Sequence, residues 1–149
     1  MRLTSLAFAD KLPVPPKYTC NGQNISPPFE FIDVPKDTTS FVLVAVDEDS
    51  SDDRVHWLVY NIPGNVTHFD EGDVPEGAVE GMNAHGSQGY EGPCAKYFSG
   101  VHRFRFTLFA LDISLDLPLN ATFEDVQKAM FGHILGSGSL VGIADGEMA

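Results

Sequence analysis

Basic residues are scarce in this sequence. It contains nine Lys and Arg against 21 Asp and Glu, which gives a formal net charge of −12 at pH 7. Nucleic-acid binding needs Lys and Arg to neutralise phosphates, so this balance argues against a nucleic-acid partner. The same balance disfavours attraction to anionic membrane surfaces. Acidity of this kind keeps a protein in solution and does not by itself identify a ligand.

Cysteine is scarce as well. The 149 residues include only Cys20 and Cys94, too few for the disulfide framework of a small secreted domain. The apolar start of the chain is too short for a signal peptide and is interrupted by Thr4 and Ser5, so we expect an edge strand there. Without an export signal we expect a cytoplasmic protein whose two cysteines are free thiols, although their loops could lie close together.

Long apolar runs and the common catalytic and metal motifs are missing too. No segment could span a membrane. The sequence lacks Gly-x-Ser-x-Gly, His-Glu-x-x-His and a Gly-x-Gly-x-x-Gly turn, so it offers no recognisable nucleophile, zinc site or dinucleotide site. The acidic run 47–53 fails as an EF-hand, because Asp52 and Leu58 stand where glycine and glutamate are required. We therefore expect no catalytic residue, no metal and no cofactor.

The pattern that is present is typical of a β-rich protein. The length favours a single domain over residues 1–149. Residues 41–46 are apolar at both odd and even positions, which predicts a central strand covered on both faces. Residues 55–60 show the same pattern and end at a predicted turn over 61–64. Residues 102–111 alternate, with Phe and Leu sharing one face. Loops and short strands are expected over 65–100.

A helical pattern follows near the C-terminus. Thr122 is a candidate N-cap for a helix near residues 122–135, which Gly136 and Gly138 would end before a last strand over 140–143. One face of this helix would carry Phe123, Val126, Met130 and Ile134. Strands with turn signals and one late helix predict a mainly β protein, an antiparallel β-sandwich with a few peripheral helices.

Ionisable side chains stand at the ends of these strands. Asp47 ends the first apolar run, His56 begins the second, and His102 has the parity of the phenylalanines that follow it. Charge-capable residues in such positions favour one small polar pocket for an anionic or hydrogen-bonding ligand. The alternative is a core histidine that bonds to a backbone carbonyl.

Four segments, taken in order, resemble the motifs of one family. They are residues 18–28, the run 47–64 with its acidic start and His56-Trp57, the run 89–94, and the run 100–104. Together they are identified as motifs of the phosphatidylethanolamine-binding proteins, in the prokaryotic branch similar to Raf kinase inhibitor protein. The resemblance implies two antiparallel sheets in a Greek-key arrangement and a small cavity that binds phosphate-like anions, including phospholipid head groups and phosphorylated side chains.

The resemblance also assigns residues to this cavity. Asp47, His56 and His102 would form its polar core. Trp57 adjoins His56 in the same motif, and the rim would consist of Tyr90, Gly92, Pro93 and Cys94. A carboxylate beside a histidine would fix the tautomer of the ring, and backbone N–H groups around Gly92 would add donors for an anion.

Three departures from the family pattern bear on this cavity. Glu48 and Ser51 replace two prolines in a loop where relatives often hold a cis peptide, so we expect a trans or rearranged loop. Ala95 and Lys96 replace another pair of prolines, which predicts a more mobile rim. Phe104 stands where many animal members have a tyrosine. Three cations lie in or beside the second pocket motif, as weak guides for anions or as partners of surface carboxylates: Lys96, Arg103 and Arg105.

The function that follows is a non-catalytic ligand-binding or regulatory protein with a pocket for a small anion, which would modulate kinases or other signalling proteins. Two alternatives stay open. One is a hydrolase that uses a pocket histidine as general base. The other is a homodimeric structural or interaction module whose pocket is vestigial.

Overall fold

The computed structural model describes residues 1–146. Within that range nine strands form a six-stranded and a three-stranded sheet. The strands are β1 (Arg2–Thr4), β2 (Leu12–Pro13), β3 (Phe29–Ile32), β4 (Ser40–Asp47), β5 (Arg54–Pro63), β6 (His68–Phe69), β7 (Val79–Glu80), β8 (Val101–Leu111) and β9 (Ile134–Asp145). The helices are α1 (Phe123–Met130) and the 3-10 helices Pro16–Tyr18 and Ala95–Tyr97.

Strand β4 lies inside the larger sheet, whose order is β2-β9-β8-β4-β5-β7, and it pairs antiparallel with both β5 and β8. The smaller sheet has the order β1-β3-β6, so the N-terminal segment is an edge strand, as predicted. The antiparallel sandwich is confirmed, apart from a parallel pairing of β2 with β9 over two residues. No helix in the described part of the chain is long and apolar enough to cross a membrane.

Strand β4 is covered on both faces, which explains why its residues are apolar at both odd and even positions. Between the sheets, odd-numbered residues of β4 pack with the aromatic side chains Phe29, Trp57 and Phe106. On the outer face, even-numbered residues of β4 pack beneath α1 against Val126 and Met130. The predicted alternation of β8 is confirmed as well, because Phe104, Phe106, Leu108 and Ala110 are all buried in the core between the sheets.

The helix is shorter than the sequence predicts. Thr122 caps it as expected, since its hydroxyl accepts from the Asp125 N–H at 3.2 Å and the Asp125 carboxylate accepts from the Thr122 N–H at 3.0 Å. The helix ends at Met130, before Gly132, which takes a left-handed backbone with φ of 83°. Ile134, 47% exposed, already belongs to β9 and not to the helix face.

The two glycines expected to end the helix instead lie inside β9. A Cβ at Gly138 would lie 2.9 Å from the carbonyl oxygen of Met1, so the close approach of β1 requires glycine there. Strand β5 also runs further than predicted, through Asn61 to Pro63. Asn61 continues the strand in a left-handed conformation, with φ of 53°, at a register shift against β4.

The expectation of free thiols is wrong. Cys20 and Cys94 form a disulfide that joins positions 74 residues apart. It links the loop after the first 3-10 helix to the segment before the second. A backbone hydrogen bond from Cys20 N–H to Pro93 O, at 3.1 Å, already holds these two segments together. The sequence alone does not predict this disulfide. Both cysteines lie in loops, where no strand or helix pattern indicates how far apart the two residues are in the fold.

Replacing both cysteines, as Cys20→Ser with Cys94→Ser, should lower the free energy of unfolding by about 4 kcal/mol, because a loop of this length gains that much conformational entropy in the unfolded chain. Urea unfolding of the oxidised protein and of the double variant measures the difference, and reduced wild type is the matched control. A double variant as stable as the oxidised wild type would contradict the assignment.

Candidate functional site

The ends of three strands meet at one edge of the large sheet. Since β4 runs antiparallel to both neighbours, its last residue, Asp47, lies beside Arg54 at the start of β5 and Phe104 near the start of β8. A cavity of about 820 Å³ opens there. Its lining residues are Cys20, Asn24, Asp47, Asp49, Ser50, Ser51, Asp52, Arg54, His56, His85, Glu91, Gly92, Cys94, Lys96, Tyr97, Phe98, His102 and Phe104. A second cavity, of about 680 Å³ beside the start of α1, contains none of the predicted site residues.

Asp47 and His102 form a hydrogen-bonded pair in this cavity. The Asp47 carboxylate is almost fully buried, and its Oδ2 lies 2.7 Å from His102 Nδ1. Its other oxygen, Oδ1, accepts from the Asp49 N–H at 3.0 Å. The ring of Phe98 stacks on the imidazole with centroids 4.0 Å apart. A carboxylate oxygen accepts, so Nδ1 carries a proton and Nε2 is left for a ligand.

His56 is turned into the same cavity by a bulge in β5. Ala45 pairs with Trp57 and the next residue of β4, Val46, pairs with Val55, so His56 is the extra residue between them. Its Nδ1 lies 2.6 Å from the carbonyl oxygen of Glu91. A carbonyl can only accept, so Nδ1 donates, and the neutral ring presents the lone pair of Nε2.

Burial lowers the pKa of His56 below its ordinary value of 6.5. The charges of His85 and Arg54 lower this pKa further. The Glu91 carbonyl and the Asp47 carboxylate raise it, without reversing the shift. His56 is therefore a neutral hydrogen-bond acceptor at pH 7.

The structure brings most of the predicted residues together. Asp47, His56, Gly92, Cys94 and His102 all line the cavity. Cys94 does so as half of the disulfide, with Cys20 beside it.

Gly92 is required for packing, and its backbone amide is not available to a ligand. Its N–H donates to Asn24 Oδ1 at 2.9 Å, so the expected donor for an anion is already used. A Cβ at this position would lie 2.2 Å from the Tyr18 carbonyl oxygen. The position requires glycine because the backbone passes so close to the 18–24 loop.

Trp57, Tyr90 and Pro93, which the family resemblance assigns to the site, are not among the residues that line the cavity. Trp57 follows the bulge and points deeper between the sheets, where its ring packs on Tyr90 and its Nε1–H donates to Glu80 Oε2 at 2.9 Å. The Tyr90 hydroxyl donates to the Tyr18 carbonyl at 2.7 Å, and burial raises the pKa of this hydroxyl strongly. Pro93 is buried, with its carbonyl bonded to Cys20.

The cations divide into two groups. Arg103 forms a two-pronged ion pair with Asp49, at 3.1 Å for each contact, and Arg105 contacts Glu48 at 3.0 Å. These two arginines therefore serve the acidic loop, which is the alternative reading of their sequence position. Lys96 lines the cavity with its Nζ 5.1 Å from the centre of the Tyr97 ring.

Sequence reasoning missed Arg54 and His85. Arg54 lines the cavity, acts on His56 through its charge, and has no ion-pair partner within the described residues. Its place could have been inferred, because the hairpin from β4 to β5 sets the start of β5 opposite Asp47. His85 lies in an irregular loop, 3.8 Å from Glu91 Oε2, and no periodic signal marked it.

The acidic loop after β4 is held by local hydrogen bonds and has no cis peptide. All peptide bonds in residues 1–146 are trans, as expected from the missing prolines. The Ser50 hydroxyl donates to the Asp47 carbonyl at 2.8 Å and accepts from the Arg54 N–H at 2.8 Å. Among the described residues, no three His, Cys, Asp or Glu side chains are grouped so that they could hold a metal ion.

Comparisons with known proteins identify related chains. The profile of the family described as "Phosphatidylethanolamine-binding protein" matches residues 4–144. A UPF0098 protein of Methanothermobacter thermautotrophicus is 44% identical over 149 residues, covering 96% of this chain and 97% of that protein. The crystal structure of a phosphatidylethanolamine-binding protein homolog from Chlamydia trachomatis is 39% identical with a TM-score of 0.90, covering 97% and 96% of the two chains. That of Escherichia coli YbcL has a TM-score of 0.89 at 24% identity over 97% of each chain, a likeness of fold alone.

His56 should gain its proton only below pH 6.5, because its pKa is lowered in the folded state, while the unfolded chain binds that proton near pH 6.5. Stability should therefore fall as the pH drops from 6.5 through the lowered pKa. Histidine NMR and unfolding at several pH values measure both effects. His56→Gln removes this contribution to stability, and His68→Gln, on β6 and outside the cavity, is the control that retains it. Titration of His56 at or above pH 6.5 would show the burial argument to be wrong.

Proposed function

Because this chain belongs to the phosphatidylethanolamine-binding protein family, we propose that it is a non-catalytic ligand-binding protein whose cavity takes a small phosphate-type anion. The observation that carries the proposal is the buried Asp47–His102 pair, which fixes one imidazole with its Nε2 available in the cavity. His56 supplies a second fixed imidazole. Trp57, Tyr90 and Pro93 support the site from behind and do not touch the ligand.

Two cations at the cavity support an anionic ligand, against a net charge of −12 and the carboxylates of Asp52 and Glu91 in the same lining. The carboxylates of Glu48 and Asp49 are paired with arginines. Arg54 remains at the cavity without a described ion-pair partner, and Lys96 also lines it. A cavity wall that excludes part of the water strengthens the attraction of such cations for an anion.

The ligand class includes phospholipid head groups and phosphorylated side chains, since both present the same phosphate ester. Proteins that carry phosphorylated side chains, kinases among them, are the partners that this chemistry predicts. The proposal treats residues 1–149 as one domain, because the two sheets share one core in the described residues. It requires no cofactor.

A cytoplasmic location is part of the proposal, and it must be consistent with the redox state of Cys20 and Cys94. Disulfides persist in oxidising compartments and in the intracellular proteins of hyperthermophiles, and they are rare in other cytosols. A cytoplasmic protein of another kind of cell would hold Cys20 and Cys94 reduced. The test is to quench cells with acid, alkylate free thiols and measure the mass of the protein, which shows whether Cys20 and Cys94 are reduced or oxidised. In a cell that is not a hyperthermophile, an oxidised pair would contradict a cytoplasmic location.

A second candidate function is hydrolysis with His102 as general base on a bound water. The observation that favours it is the Asp47–His102 pair itself, since a carboxylate on Nδ1 leaves a basic Nε2. If this function is correct, p-nitrophenyl phosphate or acetate should be turned over by wild type and by Arg105→Ala, and no longer by His102→Ala. Absence of turnover in wild type would exclude these substrates.

Binding is tested by titrating inorganic phosphate into protein with labelled histidines. We expect the His56 and His102 resonances to move, and His102→Ala to weaken binding by tenfold or more, because it removes a hydrogen bond to a charged ligand worth about 1.5–3 kcal/mol. Arg105→Ala is the matched control, since Arg105 lies on the same strand and bonds to Glu48 outside the cavity.

The control should bind phosphate within about twofold of wild type, on the order of 0.4 kcal/mol. Histidine resonances that stay unmoved at high phosphate concentration would refute the proposal. Equal losses in His102→Ala and Arg105→Ala would show that the site lies elsewhere. Thermal unfolding of both variants confirms that the comparison is made between folded proteins.

A further inference from the structure

The Cys20–Cys94 disulfide is part of the wall of the proposed anion cavity, since both cysteines line it. We propose that this bond is a redox switch: the oxidised protein holds the cavity in its binding form, and reduction by a dithiol weakens phosphate binding without unfolding the protein. The switch rests on the proposed function, because it regulates binding at the same cavity.

The segment just before the second cysteine is fastened to the fold without help from the disulfide. Glu91 N–H donates to the His56 carbonyl at 3.0 Å, and Gly92 N–H donates to Asn24 Oδ1 at 2.9 Å. Neither hydrogen bond involves sulfur. This segment therefore stays in place when the disulfide is broken.

Residues 95–99, which follow Cys94 and lead into β8, are fastened less firmly. Their hydrogen bonds within the described part of the chain are two local ones, from Tyr97 N–H to the Cys94 carbonyl at 3.0 Å and from Phe98 N–H to the Ala95 carbonyl at 3.4 Å. Neither bond reaches the rest of the fold. The disulfide is therefore the tie that holds the start of this segment, and a segment with so few other bonds opens locally at low cost.

The same segment carries side chains that build the site. Phe98 stacks on the imidazole of His102 with centroids 4.0 Å apart, and its ring lies 6.2 Å from that of Phe104. Phe98 is only partly buried against the core, so its packing alone holds the segment weakly. Lys96 is one of the cations that line the cavity. Movement of this segment withdraws both the support of His102 and a cation from the ligand.

The disulfide is within reach of a reductant, because both cysteines are partly exposed and line the cavity. A thiolate of the dithiol attacks one sulfur and breaks the protein S–S bond, which gives a mixed disulfide. The second thiol of the reductant then closes its own disulfide and releases the other cysteine. Two electrons and two protons pass from the reductant to the protein, which ends with two thiols, and a disulfide oxidant reverses the step.

Reduction should affect the two cavity histidines differently. His102 loses the ring of Phe98 that stacks on it. His56 keeps its bond to the Glu91 carbonyl, at 2.6 Å, because Glu91 belongs to the segment that is fastened without sulfur. In histidine NMR of the ligand-free protein, we expect the His102 resonances to shift on reduction and the His56 resonances to stay. A His56 shift as large as that of His102 would contradict a local switch.

Calorimetric titration with inorganic phosphate measures the switch, on oxidised wild type and on wild type reduced with dithiothreitol. We expect reduction to weaken phosphate binding about tenfold, which corresponds to about 1.4 kcal/mol. A loss of this size is comparable to the cost of fixing the backbone of one residue when the ligand binds. Reoxidation should restore the original affinity.

Three variants separate the disulfide from other effects of the reductant. Cys20→Ser with Cys94→Ser should bind phosphate as weakly as reduced wild type, and dithiothreitol should not change its affinity. Phe98→Ala, kept oxidised, should weaken binding about threefold or more, because it removes the ring from His102 and leaves the disulfide intact. Phe131→Ala should bind as wild type does, since Phe131 is 87% exposed and lies outside the cavity lining.

The outcomes distinguish the switch from the function on which it rests. If oxidised wild type does not bind phosphate, the proposed function is overturned, and the switch with it. If oxidised and reduced wild type differ by less than threefold, or if Phe98→Ala binds as tightly as wild type, the switch alone is overturned. Circular dichroism of the reduced protein belongs to the test, because unfolding on reduction would also overturn a switch that acts within the folded protein.

Discussion

A buried carboxylate at the end of the central strand constrains the whole site. Asp47 is 4% exposed, and such a group is tolerated only when its oxygens are hydrogen-bonded. One oxygen takes the Asp49 N–H, which shapes the turn after β4, and the other takes His102, which fixes the start of β8. The core that buries Asp47 thus also determines where the imidazole stands.

The acidic character of the chain is distributed so that this edge of the sheet is not uniformly negative. Arginines on the outward face of β8 neutralise the two carboxylates that follow Asp47. Their pairing also fastens the 47–53 loop to β8, since the backbone N–H of Arg103 donates to Asp49 and its carbonyl accepts from the Glu48 N–H. Surface ion pairs alone contribute little, and here they act together with backbone hydrogen bonds.

Some of this could be read from the sequence because local patterns determine it. The parity of β8, the apolar β4 and the Thr122 cap each follow from neighbouring residues in the chain, and all three are confirmed. The sequence does not predict that α1 ends at Met130, because helix-like apolar spacing continues past Gly132 to Ile134. Ile134 belongs to β9, a strand that forms by pairing with β8. The bulge in β5 that turns His56 toward the cavity and Trp57 away from it depends on the register between β4 and β5. That register cannot be inferred from a single sequence.

The cavity is assembled from remote parts of the chain, with Cys20 and Cys94 closing one wall and residues of β4, β5 and β8 the others. Contacts of such long range are slow to form, because the chain must first lose the entropy of closing large loops. A nascent or partly folded molecule therefore offers no complete binding surface. A molecule entering the cavity would therefore meet the complete wall only in chains that have finished folding and closed the Cys20–Cys94 bond.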